Sequence, residues 1–475
     1  MRLFPDAAIV AALAALSIAI ARRAASLASP SPAVMWLHVA GALAALLLAA
    51  ALLYVSSGTA LWLSRAHLEP HGTDRATAVS ALRHRRNIGR KMPCPFPDAW
   101  YVVALSPELR AGEIVDVTLC GRSLIVFRPR DGGPPSALDA YCTHLGAHLA
   151  HGGGRLADDG CVRCPFHGWC YSKDGKLQRT ETGDACPPGS DLKAWPVREQ
   201  NGVVSVWMSA AGHRPKRTAP AAGAAAAPIA AADEAAGGTS DDSPWFEIPL
   251  FSELNDGPQA FVYHGCSEHV VPALIFELPE NGADIGHLSA LHNAFVVASL
   301  RPILSHKWAA SWKADETRAH IANLRIAESM VLFGRVVLPG TVQVEITQCG
   351  PSQVFLNFNV PGIGRVFIIE TVSPVAPTQQ RVLHGVWAAP HVPRLVGKVL
   401  LASVVRAYEQ DLPVWAHKRY EPLPRLTSSE GAIRVYRQWV KQFIRSPNAI
   451  SFEEAQRAQL RVDLGLADDD ALLGW

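Results

Sequence analysis

The pattern of apolar and polar positions divides the chain into three stretches of different character. Residues 39–64 carry no charged side chain, which predicts a helix long enough to cross a bilayer. Between residues 93 and 209, short runs rich in Val, Ile and aromatic residues are separated by Gly, Pro and Asp, which predicts β-strands joined by turns. From residue 244 onward, a helical motif is followed by further strands and then by C-terminal helices. The pattern therefore predicts an α+β protein behind membrane-anchor helices.

These changes of pattern predict the domain boundaries. Residues 1–64 are predicted to form a membrane anchor of one or two transmembrane helices, and residues 65–92 a basic juxtamembrane segment. An all-β domain occupies residues 93–209, and an α+β domain occupies residues 244–475. Residues 210–243 between them consist mainly of Ala, Gly and Pro, with too few large apolar side chains to form a core, so we interpret them as a linker.

The orientation of the anchor depends on the basic residues around it. Residues 7–21 are apolar but short for a membrane span, so a second crossing stays open. Arg22 and Arg23 follow this stretch instead of preceding it, which favours a retained anchor over an exported, cleaved leader. The basic segment after residue 64 predicts that the later domains face the cytoplasm, although Arg22 and Arg23 would then lie on the opposite side.

Composition narrows the class of protein. The chain has 475 residues and a formal net charge of +2, a balance that argues against nucleic acid as the main partner. Five of its nine cysteines lie between Cys142 and Cys186. Such clustering of an odd number suggests metal ligands more than the disulfide framework of a secreted protein.

The first group of candidate ligands lies in the all-β domain. Cys142 and His144 form a Cys-x-His pair, and Cys164 and His167 form a Cys-x-x-His pair. Two thiolates and two imidazoles in matched pairs suit a [2Fe–2S] cluster of the Rieske type, in which one iron takes the two cysteines and the other the two histidines. Imidazoles make such a cluster less negative and raise its reduction potential, so it can accept electrons from a ferredoxin-like donor.

Other interpretations of the same stretch fit its sequence less well. Zinc could use Cys142, His144, Cys161 and Cys164, since Cys161 and Cys164 have a zinc-like spacing, but this leaves the sequence PFHGW unexplained. A Cys161–Cys170 disulfide is not expected on a cytosolic face. The remaining histidines of the stretch, at positions 148 and 151, are interpreted as loop residues.

A second group lies in the α+β domain, in the sequence ENGADIGHLSALHNAF. His287 and His292 are spaced as His-x4-His, and two histidines with one carboxylate form the facial triad of non-haem Fe(II) oxygenases. Asp284, three residues before His287, shares its helical face and can accept a hydrogen bond from the ring nitrogen that does not face the metal. The third ligand should be a carboxylate from a C-terminal helix, where the sequence offers Glu409 and Asp411. Asp411 has an alternative role as a helix N-cap, because Pro413 follows it.

The two groups together resemble a known family. The pattern CxHxGAxL…CPFHGWxY resembles the Rieske ferredoxin fold, and its combination with the second motif resembles the catalytic subunits of Rieske non-haem iron oxygenases. The resemblance extends to the Neverland-type cholesterol 7-desaturases, through CTHLGAHLAHGGGRL and PENGADIGHLSALH. It implies a helix-grip catalytic domain with an antiparallel sheet, and Asp411 as the third iron ligand. It also implies a head-to-tail homotrimer in which Asp284 bridges to His144 or His167 of a neighbouring subunit.

The resemblance implies an activity and partners as well. Cholesterol would lose hydrogens at C7 and C8 to give 7-dehydrocholesterol, with O2 and a reductant consumed at the mononuclear Fe(II). An anchored enzyme would collect its sterol from membrane lipid. No G-x-G-x-x-G fingerprint occurs, so NAD(P)H would act through a separate reductase or ferredoxin. A steroid 9α-hydroxylase, a sterol C4-demethylase and a membrane-tethered electron carrier remain alternatives.

Overall fold

The computed structural model describes the greater part of the chain beyond the N-terminal segment: residues 92–210, 243–255, 257, 259–292, 304–332, 335–360, 362–445 and 449–463. The predicted anchor, the juxtamembrane segment up to residue 91 and residues 211–242 of the predicted linker lie outside them. Within the described ranges, no helix combines the length and the apolar character that a membrane crossing requires.

The first part of the described chain is built from short strands, as its turn-separated apolar runs predict. Their bounds are β1 Ala99–Leu105, β2 Ile114–Leu119, β3 Arg122–Phe127, β4 Ser136–Asp139, β5 Arg155–Leu156, β6 Val162–Arg163, β7 Cys170–Tyr171, β8 Leu177–Arg179, β9 Ala194–Trp195, β10 Val197–Gln200 and β11 Val203–Met208. They form three antiparallel sheets with the strand orders β1-β11-β10, β2-β3-β4-β9 and β5-β6-β7-β8. The small sheet β5–β8 carries the second pair of candidate cluster ligands on the connection between β6 and β7.

The second part contains one large sheet of longer strands. Their bounds are β12 Val262–Val271, β13 Leu304–Ala314, β14 Ile321–Leu332, β15 Arg335–Cys349, β16 Gln353–Val360, β17 Gly364–Ala376 and β18 Gln379–Ala388. The order is β12-β18-β17-β16-β15-β14-β13, and every neighbouring pair is antiparallel. The first strand of the sheet thus pairs with the last, and five hairpin connections link the others in sequence.

The described helices precede the second strand of this sheet or follow its last strand. Their bounds are α1 Glu277–Glu280, α2 Ile285–Leu291, α3 Arg394–His417, α4 Gly431–Trp439 and α5 Phe452–Asp463. The long helix α3 lies against β12 and β18, and α2 lies near both α3 and β13. This packing brings α2, which carries the His-x4-His motif, beside the helix that carries Asp411.

Each face of the large sheet meets a different partner, because side chains alternate between the two faces of a strand. Ser373 of β17 donates from Oγ to the Val102 carbonyl in β1, at 2.8 Å, and so faces the strand-rich domain. Gln353 of β16 donates from Nε2 to the Trp100 carbonyl, also at 2.8 Å, and so faces the same domain. The opposite face is covered by α3. The sheet is therefore buried on both sides at β17, where nearly every apolar residue is shielded from solvent.

The architecture agrees with the predicted fold class for the part of the chain that the structure describes. An all-β domain is followed by an α+β domain with an antiparallel sheet, as predicted. Helix α3 contradicts the alternative role of Asp411 as an N-cap, because it continues through Pro413 to His417 instead of starting near Asp411. Asp411 is therefore an interior helical residue and not an N-cap. The proline removes only one backbone donor, which tertiary packing of the apolar α3 face against the sheet offsets.

Candidate metal centres

Two equivalent turns present the first pair of ligand motifs. The backbone N–H of Cys142 donates to the Ala147 carbonyl at 2.9 Å, and the N–H of Gly146 donates back to the Cys142 carbonyl at 3.0 Å. In the other turn, Cys164 N–H donates to the Trp169 carbonyl at 2.7 Å and Gly168 N–H to the Cys164 carbonyl at 3.2 Å. Gly146 and Gly168 have φ of 71° and 68°, the left-handed conformation that glycine adopts without strain.

The thiols lie at the inner ends of these turns. Cys142 and Cys164 are each only 3% exposed and belong to one small apolar core. Burial raises the pKa of the Cys142 thiol; the neighbouring Cys164 thiol acts in the same direction, and a hydrogen bond with Tyr171 opposes it. The Tyr171 hydroxyl lies 3.1 Å from Cys142 Sγ. Two adjacent buried sulfurs would become thiolates only beside a cation, so this donor set fits an iron–sulfur cluster.

The imidazoles lie at the outer ends. The His144 and His167 rings have centroids 4.7 Å apart, and both side chains are exposed. His144 also stacks on Trp169 at 4.5 Å, with 6° between the ring planes. The structure thus brings the four predicted cluster ligands together, with sulfur inside and nitrogen at the surface. Leu145 and Phe166 beside them are 61% and 63% exposed, so the histidine end has an apolar rim.

One expectation for this region is wrong. Cys161 and Cys170 form a disulfide, with a Cα–Cα distance of 5.6 Å. The expectation against this pairing rested on the redox compartment, whereas the pairing itself follows from the antiparallel neighbours β6 and β7, which bring the two residues together at the base of the second turn. With Cys161 bonded to Cys170, it offers no free thiolate, which counts against the alternative zinc site.

His148 and His151 lie beside the cluster motif but face elsewhere. Their Nε2 atoms lie 3.3 Å and 3.0 Å from the two carboxylate oxygens of Asp116. The Ala150 N–H donates to His148 Nδ1 at 3.2 Å. That acceptor role at Nδ1 leaves the ring proton on Nε2, where it faces Asp116, so this group is an ordinary polar contact between loops.

The second centre combines residues of α2 and α3. His287, His292 and Asp411 each offer one ligand atom, and these atoms lie within 4.8 Å of one another. His292 Nε2 lies 3.4 Å from Asp411 Oδ2. Burial alone would lower the pKa of His292, but its contacts with Asp411 and Gln410 outweigh burial and raise it. The structure therefore brings together the three residues predicted to ligate a mononuclear iron.

Asp284 lies next to this centre in a role that differs in detail from the prediction. It is the N-cap of α2, and its Oδ1 accepts a hydrogen bond from the backbone N–H of His287 at 3.3 Å. The His287 ring contacts Asp284 through Nδ1, but the partner is the backbone carbonyl and not the predicted carboxylate. The reason is local: an N-cap side chain turns toward the first turn of its helix. That contact still orients the ring and leaves Nε2 available.

Two residues without a predicted role hold the other ligands. Gln410 Oε1 lies 2.9 Å from His292 Nδ1, which places the ring proton on Nδ1 and leaves Nε2 free to ligate. The Asn281 side-chain amide donates to Asp411 Oδ2 at 2.9 Å. The sequence offered weak indications of both: Gln410 directly precedes the candidate ligand Asp411, and Asn281 belongs to the motif around His287.

The Asp411 carboxylate is buried with only one of its two oxygens hydrogen-bonded to a described residue. Asp411 is 5% exposed, and its Oδ1 has no hydrogen-bond partner among the described residues. An unpartnered carboxylate oxygen in an apolar setting is costly unless a cation or a donor meets it. With the imidazoles of His287 and His292 beside it, this carboxylate fits a divalent iron bound by two histidines and one carboxylate.

An ion pair fixes the segment that carries Asn281. The Arg437 guanidinium of α4 binds both carboxylate oxygens of Glu280 in α1, at 2.6 Å and 3.0 Å. The two side chains are only 17% and 12% exposed. Because Glu280 immediately precedes Asn281, this fork holds the asparagine at the distance from which it reaches Asp411.

Comparison with known proteins identifies the class of protein to which the chain belongs. Residues 99–196 match the model of the Rieske [2Fe-2S] domain, and residues 238–444 match that of the 3-ketosteroid 9alpha-hydroxylase C-terminal domain. The solved structure of Pseudomonas putida CBB5 NdmA with caffeine covers 79% of this chain and 97% of its own, with a TM-score of 0.52 and 16% identity, which shows a shared fold. Fold and site together define a Rieske-type oxygenase.

The relatives narrow the class further. A cholesterol 7-desaturase of Xenopus laevis is 32% identical over 79% of this chain and 78% of its own. A probable 3-ketosteroid-9-alpha-monooxygenase oxygenase component of Rhodococcus rhodochrous is 24% identical over 78% and 86%. Because the identity to the Xenopus laevis protein is 32% over most of both chains, the chain belongs to the cholesterol 7-desaturase family.

Proposed function

We propose that the protein is a sterol desaturase that removes the hydrogens at C7 and C8 of cholesterol. The observation that carries the proposal is the convergence of His287, His292 and Asp411, whose Oδ1 has no hydrogen-bond partner among the described residues, in a chain that also has a two-cysteine, two-histidine cluster motif with buried sulfurs. The family supplies the substrate, because the relative from Xenopus laevis is a cholesterol 7-desaturase. The reaction consumes O2 and reductant.

Each group of residues has a separate task. Cys142, His144, Cys164 and His167 would hold the [2Fe–2S] cluster, and His287, His292 and Asp411 would hold a mononuclear Fe(II). When bound, these centres supply single-electron transfer and the activation of O2. The chain's own contribution is orientation: the carbonyl of Asp284 and the amide of Gln410 set the two iron-binding imidazoles so that each presents one nitrogen lone pair.

We propose further that electrons pass between chains. His144 and His167 are exposed with an apolar rim that includes Leu145 and Phe166, a surface suited to docking on protein. In a head-to-tail homotrimer this surface would meet the neighbouring subunit near Asp284, whose carboxylate would bridge to the cluster histidine. A separate ferredoxin or NAD(P)H-dependent reductase would reduce the cluster before this transfer.

The N-terminal segment completes the proposal. Residues 39–64 would anchor the enzyme in the bilayer, with the catalytic domains on the cytoplasmic side. Cholesterol partitions into membranes, so anchoring would concentrate enzyme and substrate on one surface. Deleting residues 1–64 should move the protein from the membrane fraction to the soluble fraction; retention in the membrane fraction would refute the anchor.

The test is an assay of the full chain reconstituted with ferredoxin and reductase under anaerobic conditions, followed by admission of O2. Cholesterol, a 4-methyl sterol and a 3-ketosteroid are offered, and products are identified by mass spectrometry. We expect a cholesterol product that lacks two hydrogens and has the ultraviolet spectrum of a conjugated diene. An oxygenated 3-ketosteroid instead, the alternative that the C-terminal family model favours, would replace the desaturase with a hydroxylase.

The metal centres are tested separately. Cys142→Ser should abolish the visible and electron paramagnetic resonance spectra of the cluster. A protein with an intact cluster but no mononuclear iron, by metal analysis, would instead be an electron carrier.

A further inference from the structure

A group of polar side chains lies on the α3-covered face of the large sheet. Ser267 and His269 of β12 are two residues apart and so point to the same face. Ser267 is paired directly with His384 of β18, and His384 directly with Glu370 of β17. Register alone therefore gathers these four polar side chains on one face, opposite the face that carries Ser373.

Helix α3 adds a fifth member, Tyr408. Its ring centroid lies 5.6 Å from that of His269 and 4.9 Å from that of His384. The two histidine rings are 6.0 Å apart, edge to face. Tyr408 also packs on Trp415 at 4.9 Å, which fixes its ring on the helix. The tyrosine hydroxyl and the two imidazoles thus converge between helix and sheet.

These groups are deeply buried and incompletely satisfied. His384, His269 and Tyr408 are 0%, 2% and 6% exposed. In the part of the chain that the structure describes, four of their polar atoms have no hydrogen-bond partner: both nitrogens of His269, Nε2 of His384 and the hydroxyl oxygen of Tyr408. The nearest carboxylates do not satisfy them, since Glu409 is 3.9 Å from His269 and Glu370, at 3.4 Å from His384, is not aligned for a hydrogen bond.

The group adjoins the iron site. Tyr408 precedes Asp411 by three residues, so the two lie on one side of α3, about 4.5 Å apart along the axis. The carboxylates of Asp411 and Glu370 both act electrostatically on Tyr408. A small molecule held at Tyr408 would therefore have its neighbouring atoms at the metal centre.

The chemistry of the unpartnered atoms selects a ligand group. A neutral imidazole offers one donor and one acceptor, and a tyrosine hydroxyl can do either. A ligand hydroxyl both donates and accepts a hydrogen bond, so it would satisfy an unpartnered donor and an unpartnered acceptor of this group. A ketone or an ether only accepts. Cholesterol has one polar group, the hydroxyl on C3 of ring A, and C7 lies on the adjacent ring B.

We infer that His269, His384 and Tyr408 form the subsite that binds the 3-hydroxyl of the sterol. The inference rests on the proposed function and extends it, because a hydroxyl held one helical turn from Asp411 brings rings A and B to the iron, and not the sterol side chain. The three residues act as specificity-determining groups at a distance from the reacting carbons.

The test measures sterol binding, which requires no turnover. Full-length protein in nanodiscs is titrated with radiolabelled cholesterol, with cholest-5-ene (no oxygen at C3), cholesteryl methyl ether and cholest-4-en-3-one as competitors. For the native chain we expect cholesterol to bind about 10- to 100-fold more tightly than cholest-5-ene, because buried polar groups left unpaired reject the analogue. The ether and the ketone should fall between them.

Tyr408→Phe removes one hydroxyl and retains the ring, and His269→Gln is a second variant. Each should reduce the preference for cholesterol over cholest-5-ene at least fivefold. Tyr263→Phe is the matched control, since the Tyr263 hydroxyl contacts Glu108 at 2.9 Å toward the strand-rich domain and should leave the preference unchanged. Iron content, cluster spectrum and melting temperature identify a variant that has not folded.

The outcomes separate the two proposals. A preference that collapses in both variants supports the subsite. Equal binding of cholesterol and cholest-5-ene by the native chain, or an unchanged preference in both variants, overturns the subsite but leaves the sterol desaturase standing, and these groups then hold water only. Failure to bind or convert any sterol overturns the proposed function, and the subsite with it.

Discussion

Replacing Arg437 by Met tests whether the Arg437–Glu280 ion pair holds the residues around the candidate iron site in place. The guanidinium makes a two-point contact with Glu280, and a further hydrogen bond with the Glu421 carbonyl. Methionine fills similar volume without charge, so the substitution leaves Glu280 largely buried and unpaired. Asn281, the next residue, would then lose its support and with it the contact to Asp411.

The expected loss of folding free energy depends on how exposed the Arg437 and Glu280 side chains are. Removing one partner of a fully buried pair costs about 3–5 kcal/mol. Here the side chains are 17% and 12% exposed, so water partly solvates the remaining carboxylate and we expect about 2–3 kcal/mol. For a domain of this size each kcal/mol shifts the melting temperature by about 2–4 °C. The expected decrease is therefore roughly 4–12 °C.

The assay is thermal unfolding of the full chain at fixed scan rate, with iron content measured on the same samples. Arg198→Met is the matched control: Arg198 lies 2.6 Å from Glu247, but the side chains are 42% and 65% exposed, so its loss should cost less than about 1 kcal/mol. Equal shifts for both variants, or a shift below about 2 °C for Arg437→Met, would refute the reasoning.

Three further predictions concern individual side chains. Asp284→Ala should leave cluster and iron contents unchanged but stop turnover; persistent turnover would show that the carboxylate is not the bridge between subunits. Asn281→Leu should weaken Fe(II) binding about 10- to 100-fold in anaerobic titration, whereas Asn359→Leu, at an exposed position, should not. Burial lowers the pKa of His264 to about 4, below its ordinary value of 6.5. The unfolded chain therefore binds a proton that the folded chain does not, and stability should fall as pH decreases from 6.5 toward 4. His264→Gln should flatten this dependence in unfolding titrations, and an unchanged slope would contradict the assignment.

Most of the candidate ligands could be predicted from the sequence because they are closely spaced along the chain. Cys142 with His144, and Cys164 with His167, are close along the chain because each pair occupies one tight turn, and a turn is a local structure. His287 and His292 likewise belong to a single helical segment. Such motifs can be recognised without a fold, since the backbone between the ligands is only a few residues long.

The contacts between distant segments were decided by tertiary structure. Asp411 could be named as a ligand only through the family resemblance, and its interior position in α3 shows that packing overrode the local preference of Pro413. Gln410 and Asn281 contact the candidate ligands only because the fold brings α3 next to the end of α2 and next to the segment that follows α1.

The remaining features depend on strand register. The Cys161–Cys170 disulfide follows from the pairing of β6 with β7. The convergence of His269 and His384 around Tyr408 requires both the register of β12 with β18 and the position of α3. Register is set by the whole buried face of a sheet and not by any short stretch of it. The sequence alone therefore predicted most of the ligands of the two candidate metal centres, whereas their supporting contacts and the polar group beside Asp411 were decided by the packed sheet and helix.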